Sequence, residues 1–350
     1  MSNIKTIVRG VYDIQKLRIQ MGNRIVGNFK AKLGQKPGES EDTLDQESKD
    51  LLAKIRKDFD LVADGVVDHD EDDKRKKKAA AVASHMHALL DKHFATITQD
   101  GVPSKKKFVG DPVISDYTEL VLLQQYKELV AQENRQFSTL ESVLRDYPIW
   151  TEFMEHVTGC GPAMAGVIIS EIDIHKAKYP SSLWMYAGLD VAPNGEGRSR
   201  KADHLIDREY LSREGKVETK KSITFNPFLK TKLTGVLAGS FIKTGRKYSA
   251  TQMAEMAGVP DGEVKVWKKA NKPLGEFNSK YAKAYYDYKN RLENHPVHKE
   301  KTKGHRHSMA LRYIVKLFLI DLHTEWRTLE GLPTSVPYHE AKLGLKHGVD

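Results

Sequence analysis

The sequence predicts a mainly α-helical protein with one small β-hairpin, on three observations. Apolar residues recur at helical intervals near the N-terminus, residues 115–145 run without Gly or Pro, and strand signals are sparse throughout. In the first stretch, residues 10–34, Val11, Ile14, Leu17, Met21, Ile25 and Phe29 repeat every three or four positions, with Arg18, Arg24 and Lys30 on other faces. The run GQKPGE at 34–39 ends it, and residues 43–62 read as a second helix with Leu44, Leu51, Leu52, Ile55 and Phe59 inward. An acidic run at 68–73 then meets a basic run at 74–78, a charge block that reads as a linker or as the first turn of a helix over 79–96. Residues 115–145 form a long helix whose partial stripe (Leu120, Leu123, Tyr126, Leu129, Val130) is too narrow for a core helix, so it reads as a strut or antiparallel coiled-coil arm. The best strand or hairpin signal is KVETKKSITF at 216–225, beside the turn-rich residues 194–197.

Composition narrows the class. The 350 residues hold 56 Lys plus Arg against 47 Asp plus Glu, a formal charge of +9, so the placement of charge matters more than its total. No apolar run is long enough to span a bilayer, and the first eleven residues lack the apolar core of a secretory signal, so the expected compartment is the cytoplasm. A single cysteine, Cys160, excludes an internal disulfide and a Cys-rich metal site. The histidine pairs His295/His298 and His305/His307 lack partner ligands at metal-binding spacing, and no phosphate-cradling Gly-rich loop of the nucleotide-binding kinds is present. No cofactor is evident.

The sharpest motif is Thr158-Gly159-Cys160-Gly161-Pro162, set between two apolar periodic segments, with the small Ala165 following. Glycines at 159 and 161 permit positive φ and close backbone approach, and Pro162 suits the first turn of a helix. This is the pattern of a helix-hairpin-helix, whose amide groups and helix dipole face a phosphate and grip a nucleic-acid backbone without reading bases. The alternative is an αα-hairpin with no ligand. Cys160, in the middle of the turn, reads as packing. A second candidate is the stretch 249–269, where Ala254, Gly258 and Val264 have helix-turn-helix spacing. There Met253, Met256 and Val266 are expected inward, Ser249 or Thr251 as cap, and Lys265, Lys268 and Lys269 against phosphates; a plain helical hairpin is the alternative. The stripe Tyr281, Tyr285, Tyr286 and Tyr288 reads as packing before base stacking.

Four segments in order, 159–165, Tyr186-Ala187-Gly188-Leu189 with Pro193, 226–233 and 309–316, resemble the C-terminal domain of insertion-sequence transposases of the DEDD, bridge-RNA-guided group. That domain has a Gly-x-Gly-Pro hairpin, a YAGL-x-P-like segment, a polar loop with a Ser-Gly pair, a Gly-Asn-x-x-Leu-Arg-type helix and a closing apolar helix with Ala and Arg. The resemblance covers roughly half the chain. Family members begin with a ribonuclease-H-type nuclease domain, whereas this N-terminus reads as helix; Asp13 falls in a helical period, and no acidic catalytic residue is carried over.

The family's nucleophilic serine falls nearest Ser199, flanked by Arg198, Arg200 and Lys201 and without the following Gly. Two chemistries fit Ser199: attack on a phosphodiester, with cations stabilising the developing oxyanion, or a hydroxyl that joins those cations on a phosphate.

The expected domains are a helical region (1–112), the long arm (113–147) and the helix-hairpin-helix domain (148–245), interrupted by an inserted helix-turn-helix-like segment (246–280) and completed by closing helices and a C-terminal tail of the same domain (281–350). The expected function is DNA binding in the manner of a transposase, in transposition or recombination of a mobile element or phage; the alternative is a non-catalytic DNA- or RNA-binding derivative of that domain. Contacts are expected from Gly159, Gly161, Pro162, Arg198, Arg200, Lys201, Lys220, Lys221, Lys230, Lys232, Lys265 and Lys268. Duplex DNA is the first expected partner and RNA the second, with no membrane, a homodimer through the arm, and Mg²⁺ only if transposase activity exists.

Overall fold

A computed structural model describes residues 2–32, 35–36, 38–46, 49, 104–110, 116–248, 250–271 and 276–334. The expected helix at 79–96 and the charge block lie outside these residues, as does nearly all of the helix expected at 43–62. The described chain is mostly helical with one two-stranded antiparallel sheet. It forms two compact units, one of residues 1–8 and 139–350 and the other of residues 9–138.

In the unit of residues 9–138, α1 (Ser2–Lys32) and α2 (Tyr117–Leu144) lie antiparallel. Gly10 faces Gln136 while Gly22 faces the Tyr126 ring, so sequence runs in opposite directions along the pair. Val11, Met21 and Ile25 are buried as the periodicity predicts, but Leu17 is 49% exposed. The seam there is polar: Arg18 pairs with Glu133, which also accepts a bond from Gln15 at 3.0 Å. The long arm therefore has a partner within its own chain, which meets the need that suggested a homodimer.

In the larger unit, α3 (Pro148–Thr151) and a 3₁₀ turn (Met154–His156) lead into α4 (Pro162–Glu171). Next come α5 (Pro180–Tyr186), β1 (Ile206–Leu211), β2 (Val217–Ser222) and α6 (Pro227–Thr231). A π-helical stretch (Lys232–Leu237) joins α6 to α7 (Ala238–Thr244). After α8 (Ala250–Met256) and α9 (Val264–Asn271) follow α10 (Lys280–Asn294) and α11 (Lys303–Leu329).

The core gathers on α11, whose Ala310, Ile314, Val315, Phe318, Leu319, Leu322 and Trp326 are buried along one face. Phe241 of α7 stacks on Tyr281 of α10 (4.7 Å between centroids) and leans on Phe318 (5.5 Å). The tyrosine stripe is thus packing: Tyr281 and Tyr285 are buried, and Tyr288 stacks on Tyr313 at 4.1 Å.

The hairpin pairs Ile206 with Ser222 through to Leu211 with Val217. Its second strand falls inside the stretch that the sequence favours; its first was not foreseen. All of β1 except Tyr210 is exposed, so neither face had to be apolar and no alternation marks it. Cross-strand polar pairs hold it, among them Lys221 with Asp207 at 3.3 Å and Lys220 over the Tyr210 ring at 4.2 Å.

Candidate nucleic-acid interface

The glycine turn forms as a bend into α4, with two corrections. The segment before it is a short helix and a 3₁₀ turn, because Pro148 starts α3 late and leaves room for little more than one turn. Only Gly159 takes positive φ (95°); Gly161 has φ −82° and ψ 173°, the extended geometry of an N-cap, with Pro162 starting the helix. A Cβ on Gly159 would lie 2.8 Å from Thr244 Oγ1 and 3.1 Å from the Phe241 backbone nitrogen, so α7 covers this side of the bend. Gly161 is exposed, with nothing within 4 Å of its Cβ position. Cys160 is buried between them, and burial pushes its thiol up to about 12, so it packs and does not react at neutral pH.

The polar loop after α5 is a small hairpin. Val191 and Gly197 form an antiparallel bridge, Arg198 N–H donates to the Asp190 carbonyl (3.0 Å), and Ala192 N–H donates to the Glu196 carbonyl (2.7 Å). This turns Arg198 inward, where its guanidinium holds Asp190 Oδ2 through two nitrogens at 2.7 and 3.0 Å. Arg312 of α11 lies flat over Gly197: a Cβ there would fall 2.8 Å from the guanidinium carbon, and Nη2 donates to the Asp190 carbonyl at 3.1 Å. One turn further along α11, Lys316 sits over the Trp184 ring at 5.1 Å, while Trp184 Nε1 donates to the Lys316 carbonyl. Lys230 of α6 donates to the Arg198 carbonyl at 2.5 Å.

These residues crowd positive charge. Burial, then Arg312, Arg198 and Arg200, push the Lys230 ammonium down to about 8, and Asp190 is the one carboxylate that acts against them. Burial lowers Arg312, and burial with Arg312 lowers Lys316. Asp190 Oδ1 is buried with no hydrogen-bond partner. Four cations (Arg198, Lys230, Arg312, Lys316) thus share one carboxylate in a half-buried site, with the exposed Arg200 adding its charge at Lys230, which suits an anion. Asp190 Oδ2 is held by Arg198, Asp203 accepts from Asn194 at 2.7 Å, and among the described residues no group of three or more His, Cys, Asp or Glu is arranged to hold a metal.

Ser199 follows Arg198 directly. Its Oγ is 2.8 Å from His204 Nδ1, its N–H donates to the same nitrogen at 3.0 Å, and its hydroxyl oxygen accepts from Lys201 N–H at 3.3 Å. His204 is 2% exposed, held by the 3₁₀ turn Ala202–His204, with Nε2 2.9 Å from Asn194 Nδ2 and 3.7 Å from Asp203 Oδ2.

Three of the four segments behind the resemblance, 186–193, 226–233 and 309–316, meet here. Tyr186 accepts from the Asn226 amide (3.1 Å), which also donates to Glu171 (2.7 Å) and whose oxygen caps α6 at Leu229 (3.0 Å). Of the expected contacts, Arg198, Arg200 and Lys230 lie in the cluster. Lys201 is exposed and tied to Glu196, which raises its ammonium, and Lys232, lowered by burial, sits over the Phe228 ring. Lys220 and Lys221 are on the hairpin. The glycine bend is elsewhere: Phe241 beside Gly159 stands eleven residues past Lys230 on one helical run, about 16 Å away at 1.5 Å per residue.

In the expected helix-turn-helix, Ala254 and Val264 are buried as predicted. Met256 and Val266 are not; they are 70% and 71% exposed, because α8 and α9 pack on each other through one narrow face. Lys265 is exposed, and Lys268 donates to Thr251 Oγ1 at 2.6 Å, which engages that hydroxyl in a bond between the helices; Ser249 lies outside the described residues.

Sequence reasoning missed Arg312, Lys316, Asp190 and His204. Arg312 and Lys316 had a signal, two cations at i and i+4 in the otherwise apolar stretch 309–320. Asp190 and His204 had none, since only the loop's hairpin geometry turns them inward. Among the described residues no helix is long and apolar enough to cross a membrane. Compared with models of protein families, with characterised proteins and with solved structures, the chain gives no match.

Proposed function

We propose that this chain is a nucleic-acid-binding protein that resembles a transposase and acts on duplex DNA in transposition or recombination of a mobile element or phage, in the cytoplasm. The observation that carries this reading is the half-buried set of Arg198, Lys230, Arg312 and Lys316 around the single carboxylate of Asp190, with the exposed Arg200 beside it. A phosphodiester supplies the missing negative charge, and Arg and Lys side chains are the groups that hold one. The open N-terminus of α4 at Gly161 gives a second phosphate contact, next to the bend whose Gly159 rests on the far end of the helical run that carries Lys230. Residues 148–245 together with the closing helix that carries Arg312 and Lys316 then form the binding domain, and Lys265 and Lys268 of the inserted segment add backbone contacts.

Salt-dependent retention of duplex DNA tests this. The natural chain binds with a steep salt slope, and Arg312→Met lowers both affinity and slope. Retention that ignores salt, or that Arg312→Met leaves unchanged, refutes it. A nicking and strand-transfer assay with Mg²⁺, comparing the natural chain with Ser199→Ala, then separates a transposase from a non-catalytic DNA- or RNA-binding derivative. The helical character of the described N-terminal residues favours the derivative; the contact between Ser199 and His204 favours chemistry. A defined co-purifying transcript identifies RNA as the ligand.

A further inference from the structure

We propose that the connection between α10 and α11, with the first turn of α11, is a further phosphate contact for the same duplex, made by His295, His298 and His305 in their protonated form beside Lys301 and Lys303. This rests on the phosphate-binding reading of the cluster at Asp190 and extends that site along α11. His305, Met309, Arg312 and Lys316 stand at i, i+4, i+7 and i+11, so they share one face of the helix, and none of the four is buried. At 1.5 Å per residue the stripe runs about 16 Å, from the connection to the cations around Asp190. Three of its four side chains are basic and none is acidic.

The far end gathers the histidines that metal-ligand spacing leaves unexplained. His295 and His298 lie ring beside ring, 4.5 Å between centroids and inclined by 32°, and His305 is close enough to act on His298 across the connection. His307 stands apart, its Nδ1 2.6 Å from the Tyr285 hydroxyl. Burial, then Lys301, His295 and His305, push the His298 imidazole below its ordinary value, so each charged group acting there is a cation. Its Nδ1 is buried with no hydrogen-bond partner, as is Nε of Arg306. Arg306 donates through Nη1 to the carbonyls of Lys299 (2.7 Å) and Lys301, which ties the connection to α11 and leaves the guanidinium charge uncancelled. Lys303, His305 and Arg306 open α11 with no acidic residue in the first turn, although cations there oppose the helix dipole. The carboxylates of residues 289–306 are Glu293 and Glu300, both exposed; the cations are Lys289, Arg291, Lys299, Lys301, Lys303 and Arg306. A phosphate relieves that excess, since it accepts from imidazolium, ammonium and guanidinium alike. An imidazole ordinarily titrates near 6.5, and a phosphate beside it favours the charged form. Binding therefore takes up protons and tightens as pH falls through that range.

Retention of a mixed-sequence DNA duplex by the full chain, measured against salt at pH 7.5 and pH 5.5, tests this. Two or three added contacts at about 0.9 each steepen the salt slope by about 2 between the two pH values. In the double variant His295→Gln with His305→Gln, at two exposed positions, that increase falls to about 1 or less. Lys301→Gln with Lys303→Gln lowers the slope at pH 7.5 by about 1.8. Inorganic phosphate should raise the NMR titration midpoints of His295 and His305 in the natural chain. A slope that pH leaves unchanged, an increase that the histidine variant keeps in full, or stronger retention on phosphatidylserine vesicles than on duplex each overturns the proposal. Duplex still bound at pH 7.5 in those cases leaves the reading of the Asp190 cluster standing. Raised midpoints with no duplex retention at either pH overturn both and leave a site for free phosphate.

Discussion

Replacing Lys230 with Met should stabilise the fold and weaken DNA binding, a pair of opposite effects that a structural lysine would not produce. The folded ammonium titrates near 8 against 10.5 for an ordinary lysine, so its charged form is disfavoured by burial and by Arg312, Arg198 and Arg200. Taken whole, that difference is about 3.4 kcal/mol at neutral pH, at 1.36 kcal/mol per unit. The ammonium is half-buried, so solvent screening reduces it to about 2 kcal/mol. Against this stands the lost bond to the Arg198 carbonyl, about 1 kcal/mol. The cation–π contact of the ammonium over the Phe225 ring, at 4.5 Å, is also lost, and a methionine sulfur against the ring offsets it. A net gain of about 1 kcal/mol follows, a rise of roughly 2–4 °C in Tm for a unit of this size.

The same change removes a charge-assisted contact to phosphate worth about 1.5–3 kcal/mol, so duplex affinity falls between about tenfold and a hundredfold and the salt slope shrinks by about 0.9. The pH dependence has a fixed sign. Because the folded value is depressed, the penalty is fully present below about 8 and is relieved between there and 10.5, so the natural chain gains stability over that window and Lys230→Met does not. Calorimetric scans at pH 7 and pH 9, with duplex titrations at two salt concentrations, measure all of this. A lower Tm with unchanged affinity refutes the reasoning.

Three further outcomes follow from the same geometry. Gly159→Ala, at φ 95° and against Thr244 and the Phe241 backbone, should cost about 2–3 kcal/mol in a denaturant titration, whereas Gly161→Leu, in open space, should leave stability within about 0.5 kcal/mol and lower duplex affinity roughly tenfold. Gly197→Ala should push the Arg312 guanidinium off its seat and weaken salt-dependent retention, with a stability loss of about 1 kcal/mol; unchanged retention would detach Arg312 from binding. Asp190→Asn should lower stability by about 2–3 kcal/mol, since the amide oxygen can still accept from Arg198 but the negative charge is lost where the two side chains are only 15% and 18% exposed. Added inorganic phosphate should then raise the Tm of that variant more than that of the natural chain.

The helices were legible wherever one face had to be apolar. Val11, Met21 and Ile25, Leu120 and Leu123, and the face of α11 all announce themselves by spacing. Leu17 breaks its pattern because the seam there is filled by Arg18 and Glu133, a polar pairing across 115 residues that no local window contains. Strand β1 left no trace because both its faces meet solvent. The site was half legible: Arg198, Ser199 and Lys230 stand in segments with recognisable order, and the glycine bend forms beside them in sequence but not in space. Arg312 joins Asp190 across 122 residues, and His204 reaches Ser199 only because the 3₁₀ turn folds it back. Those depend on tertiary geometry, which periodicity does not encode.

The π-helical stretch at Lys232–Leu237 sits between Lys230 and the Phe241 seat of Gly159. The span between those two points is therefore fixed by helical pitch, as on a gauge, and not by a loop that samples many lengths. Deleting a single residue from the stretch would wind it back toward α and leave the two ends facing nearly as they do now, whereas a deletion from the α-helical turn between the stretch and Phe241 would rotate one end against the other by about 100°. Phe241 would then point away from the bend it now supports, so the register of this short helical shaft determines whether both ends face the same way.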